Sequence, residues 1–145
     1  MKRLLVAIQV LVCIAGYAQP AELPREVDSA FKTKYTGSRM AGWWEENELY
    51  YIDFILQGGS FIAVFDPQGS WKETAETISE LEIPAEIRSY IRSNFPSGTI
   101  SFCELVEAPG IPKYLRVNVI DTGNVLRIIR SDRDGKNISV QETKP

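Results

Sequence analysis

One pattern occurs twice in this chain, and an internal repeat constrains architecture before any single residue does. Leu23-Pro24-Arg25-Glu26-Val27 opens a segment whose apolar residues fall at Val27, Ala30, Phe31 and Tyr35. Ile83-Pro84-Ala85-Glu86-Ile87 opens a second, with Tyr90, Ile91 and Phe95 at the same offsets. Each segment continues through alternating apolar stretches to an Asp-x-x-Gly turn, first Asp66-Pro67-Gln68-Gly69 and then Asp132-Arg133-Asp134-Gly135.

The spacing i, i+3, i+4, i+8 from Val27 to Tyr35 is one face of a helix, and Pro24 suits a helix start. A second helix is predicted over about 84–95, ended by Pro96, Ser97 and Gly98. Period-two alternation predicts strands at 40–45, 49–56, 61–65 and 71–77, then at 99–106, 114–120, 125–131 and 136–141. The predicted fold is α+β: a tandem duplication of an α-β-β-β-β unit (about 23–77 and 83–141). Its antiparallel sheet has the helices packed on one face, which leaves the other face to water or a partner. Much of the extra length of the second unit falls at Glu107–Pro112, predicted as a longer loop.

Lys2 and Arg3 precede an apolar run, Leu4 to Ala15, too short for a membrane span, and Gly16-Tyr17-Ala18 offers small residues before a cut. Residues 1–18 therefore read as a signal peptide, and 19–145 as the mature, periplasmic or secreted domain. Cleavage would remove Cys13 and leave Cys103 alone within an apolar strand, where a thiol behaves as a small hydrophobe.

The full chain carries a net charge of −3, and losing Lys2 and Arg3 takes the mature chain to −5. That argues against nucleic acid and anionic membrane as partners, since both need concentrated positive charge. The chain has no histidine, which removes the commonest general base and zinc ligand. No cofactor, metal or catalytic residue is expected. Asp132, Asp134 and Asn137 offer clustered oxygens, but Gly135 beside them is the chemistry of a hairpin turn. Glu45, Glu46 and Glu48, or Glu73 and Glu76, could pair as catalytic carboxylates, but nothing in the sequence sets two of them across a cleft.

Three stretches carry a resemblance: Leu23-Pro24-x-x-Val27-x-x-Ala30-Phe31-x-x-x-Tyr35; Tyr50-x-Ile52-x-Phe54; and Phe65-Asp66-x-x-Gly69-x-Trp71-x-Glu73-Thr74. They resemble the PepSY-like, β-lactamase-inhibitor-like exported proteins of Gram-negative bacteria, over Leu23 to Gln141. The resemblance implies a secreted, inhibitor-like module that grips a protein with an open sheet face. It carries no catalytic residues across.

Alternation also nominates a binding surface. With Tyr50, Ile52, Phe54, Phe61 and Phe65 turned to the helix, Tyr51, Ile55, Ile62 and Val64 point to the open side as one apolar patch. In the second half, inward Leu115, Val117 and Val119 leave Tyr114, Arg116 and Asn118 outward, with Arg127 a further candidate; Tyr and Arg are common binding anchors. The expected occupant of this face is a protein or peptide partner, or a second copy in a homodimer. The alternative is a small-ligand carrier, with a lipid or glycan fragment held against Trp43, Tyr51 and Tyr114.

Overall fold

The computed structural model describes residues 22–143. The signal-peptide assignment, its cleavage site and Cys13 lie outside the described residues. In chain order the elements are α1 (Arg25–Lys34), β1 (Arg39–Glu46), β2 (Leu49–Leu56), β3 (Gly59–Phe65), β4 (Trp71–Thr77), a 3₁₀ turn at Glu80–Glu82, α2 (Ala85–Asn94), β5 (Thr99–Ala108), β6 (Ile111–Asp121), β7 (Val125–Asp132) and β8 (Ser139–Thr143).

The eight strands form one antiparallel sheet in sequential order, β1 to β8. This corrects the predicted tandem α+β fold. A single sheet dominates the molecule, and the two ten-residue helices are accessory to it. The reason is a non-local pairing. Thr74, Ala75, Glu76 and Thr77 of β4 bond to Glu107, Val106, Leu105 and Glu104 of β5, so the sheet does not stop at the middle of the chain. Two further expectations are corrected. Glu107–Pro112 is no long loop but the ends of β5 and β6 around a Pro109-Gly110 turn. The last strand begins at Ser139 rather than Lys136.

Local chemistry explains the elements. Pro24 caps α1 and its carbonyl accepts the Asp28 N–H at 2.9 Å. Glu26 and Asp28 stand in the first turn and Lys32 and Lys34 in the last, which suits the helix dipole. In the turn after β3, the Asp66 carboxylate accepts the Gln68 and Ser70 N–H groups at 3.1 and 2.8 Å. Asp132 takes the Asp134 and Lys136 N–H groups in the same way, at 3.1 and 2.7 Å. Gly69 adopts φ +79°, and a Cβ there would lie 2.6 Å from the Glu26 carbonyl oxygen. That turn therefore docks against the start of α1, and only glycine permits the approach.

Two core clusters lie under the helices. Val27 and Phe31 of α1 pack on Ile52, Phe54, Ala63 and Phe65. Ile87 and Ile91 of α2 pack on Cys103, Val117, Val119 and Ile129. Cross-strand pairing places both on the same side of the sheet: Phe61 pairs with Glu76, Glu76 with Leu105, and Leu105 with Leu115. Among the described residues, no helix lies over the opposite face.

Candidate functional site: the helix-free sheet face

Paired residues in a sheet share a face, so register defines this surface. Tyr51 pairs with Trp44 on one side and Val64 on the other. The next rung runs from Asp53 through Ile62, Ala75, Val106 and Tyr114 to Asp132. Beyond it, Thr77 pairs with Glu104, Glu104 with Arg116, and Arg116 with Arg130. Phe102 and Ile128 flank Asn118 further along.

All six sequence-nominated residues, Tyr51, Ile55, Ile62, Val64, Tyr114 and Arg116, therefore lie on the helix-free face, but not all as expected. Val64 is only 4% exposed, so it is floor rather than contact surface. Ala75 and Val106 on the same face are buried too. Asp53 sits beside Ile62, which interrupts the apolar patch with a charge. Arg116 is not free to anchor a partner. Its Nε donates to Glu104 at 2.5 Å and its Nη1 to Glu73 at 2.9 Å, so its side chain reaches from β6 across β5 to β4. Burial opposes the Arg116 charge, but these two carboxylates outweigh it and raise its pKa.

Register also places three other sets of residues. Arg127 pairs with Val119 and lies on the helix side, its guanidinium 5.5 Å from the Phe95 ring. Trp43 pairs with Ile52 and also faces the helix, so Trp43, Tyr51 and Tyr114 cannot cradle one ligand. Glu73 and Glu76 are on opposite faces, since Glu76 pairs with Phe61.

The structure adds residues that alternation alone missed. Trp44 is 41% exposed and stacks on Tyr51 with ring centroids 5.1 Å apart. Phe102 is 37% exposed. Both depend on bulges, between Met40 and Gly42 in β1 and between Ile100 and Phe102 in β5. One extra residue inverts the parity of the rest of the strand, so Ile100 faces α2 while Phe102 faces away. Glu104 and Arg116 did leave a sequence signal. Glu104 stands between Cys103 and Leu105, and Arg116 between Leu115 and Val117, so charges of opposite sign interrupt apolar runs in adjacent strands. Burial raises the Tyr51 pKa, with further contributions from the charges of Glu46 and Glu73.

No protein-family model matches this chain, and no curated protein matches it. Solved structures do. A DUF2874 family protein from Bacteroides uniformis superposes with TM-score 0.69 at 19% identity, over 83% of this chain and 90% of that one. A candidate periplasmic protein from Bacteroides eggerthii gives TM-score 0.68 at 19% identity, over 84% and 90%. A BLIP-like protein from Bacteroides fragilis gives TM-score 0.66 at 18% identity, over 90% and 91%. The chain shares their fold. None of these three is described as PepSY-like, so that part of the sequence resemblance has no counterpart here. No helix among the described residues is long and apolar enough to cross a membrane.

Proposed function

We propose that this chain is a non-enzymatic module of the periplasm or the secreted fraction, binding a protein or peptide partner through the helix-free sheet face. The observation that carries this reading is the exposed Trp44, Ile55 and Phe102, with half-buried Tyr51 stacked on Trp44, spread along a face that no helix among the described residues covers. Aromatic anchors on a rigid surface are the usual centres of protein interfaces. The shared fold with a BLIP-like protein and a candidate periplasmic protein supports the inhibitor-like and exported parts of the proposal. The basic and apolar N-terminal segment supports export independently.

The test is affinity capture from a periplasmic extract with the exported chain as bait, beside a Trp44→Asp/Tyr51→Asp variant. The expected result is a discrete protein retained by the wild type, lost by the variant, and rebound by the wild type when purified. The variant should keep the wild-type circular dichroism. Retention by both proteins, or by neither, overturns the assignment of this face. Sedimentation velocity of the bait alone separates the homodimer: a concentration-dependent dimer abolished by the double substitution would make the partner a second copy.

A further inference from the structure

The two helices hold the same place over their parts of the sheet, yet differ in charge at two matched positions. In α1 these positions are Asp28 and Lys32, which form an i, i+4 ion pair at 2.7 Å. In α2 they are Arg88 and Arg92. Two like charges at that spacing repel, where the α1 pair attracts. None of the ion pairs among the described residues includes Arg88 or Arg92. Both arginines line one cleft of about 350 Å³ at the C-terminal end of α2, with Ile91, Phe95 and Ile100 beside them and Thr99 adding a hydroxyl. Arg88 is held in place there, since its Nη1 donates to the Ile83 carbonyl oxygen.

We infer that this cleft is a binding site for an apolar monocarboxylate, clamped between Arg88 and Arg92 with its hydrocarbon part against Ile91, Phe95 and Ile100. A guanidinium pairs with a carboxylate through two parallel N–H donors, stronger and more directional than a single charge contact. Glu80 also lines the cleft. Two guanidiniums against one carboxylate leave a single net positive charge, which matches one bound carboxylate better than a multiply charged phosphate. The lining is mostly polar, and Phe95 and Ile100 give it one apolar strip, which favours an acid with a hydrocarbon part over acetate. The site lies on the helix-bearing side of the sheet, so it is independent of the proposed protein-binding face.

Two sources could present this chemistry, a free acid and a peptide C-terminus. Octanoate represents the first and N-acetyl-leucine the second. Amide-resolved NMR titration of the exported chain should show saturable shifts at Gly98, Thr99 and Arg92 with one of them. Octanol and acetate should give none. Arg92→Glu keeps the Arg88 bond to Ile83 and replaces a like-charge i, i+4 pair with an opposite-charge one, in the reverse order to Asp28 and Lys32 and with the acid in the last helical turn. It should keep the wild-type circular dichroism and bind at least about tenfold more weakly, the loss of a charge-assisted clamp. Arg92→Lys, which keeps charge without the fork, should fall between. Absence of saturable shifts with both carboxylates overturns the site. So does binding that Arg92→Glu leaves unchanged while its melting temperature shows a folded chain.

Discussion

Cys103 shows how one residue's environment decides its chemistry. It is the free cysteine among the described residues, 4% exposed and packed under α2 with Ile87, Ile91 and Val117. Burial, with smaller contributions from Glu80 and Glu104, pushes its pKa from the usual 9.0 up to about 11. The neutral thiol is thus the native form, and a thiolate is needed for nucleophilic attack or oxidation. Because the folded pKa is raised, the stability it contributes is fully present below pH 9.0 and is lost as pH rises towards about 11. Tyr35, Tyr50 and Tyr51 also have raised pKa values, mainly through burial, and add alkaline sensitivity of their own. A Cys103→Ala variant retains the tyrosines. Urea denaturation should therefore show wild type losing more stability than Cys103→Ala between about pH 9 and pH 11. Equal losses in both chains would show that the thiol ionises as readily folded as unfolded.

At the scale of elements, the bulged strands β1 and β5 set which side chains reach each face. Trp43 and Trp44 are neighbours in sequence with opposite fates. Trp43 packs against the α1 core, its ring 6.2 Å from that of Tyr50. Trp44 stacks on Tyr51 across the helix-free face. Trp43→Asp should destabilise the chain by about 3 kcal/mol or more, as replacing a packed aromatic with a charge does. Trp44→Asp should fall within about 1 kcal/mol, the range of surface changes. Chemical denaturation of both variants measures this directly. Iodide quenching of a Trp44→Phe chain gives a second reading, since most quenchable emission should disappear with Trp44. The reverse ranking would mean that the β1 bulge does not shift the register between Met40 and Gly42.

For the whole molecule, the central question is what joins the two ends of the sheet. The β4–β5 pairing supplies four paired positions, from Thr74–Glu107 to Thr77–Glu104. Across the same seam, Arg116 on β6 reaches Glu73 on β4 and Glu104 on β5. The Glu104 side chain is only 7% exposed, so it depends on that guanidinium. Removing one member of a buried pair costs about 3–5 kcal/mol, because the other charge is left uncompensated, whereas an apolar replacement of both is often neutral. Arg116→Ala should lower stability by about that amount. Arg116→Met with Glu104→Leu should recover most of it, as read from urea midpoints and unchanged m-values. A double variant no more stable than Arg116→Ala would show that the cluster contributes packing rather than charge compensation.

Local periodicity made several features of this chain readable without coordinates. Val27 and Phe31, and likewise Ile87 and Ile91, recur at helical spacing, so each helix's buried side was visible in the sequence. Period-two alternation placed Leu115, Val117 and Val119 on one face and Tyr114 and Arg116 on the other. The Asp66 and Asp132 turns bond mainly to residues within five positions, so their chemistry is local as well. Tertiary structure alone decided the rest, because it depends on residues far apart in sequence. The single sheet rests on β4 meeting β5. Phe102 faces away from α2 because a bulge adds one residue to a ladder. Val64 and Val106 are buried although no helix among the described residues lies over them, and Arg116 finds Glu73 43 positions away. Alternation specifies the side of the sheet on which a side chain stands. What covers it there is set by strand pairing and by the neighbours that pairing brings.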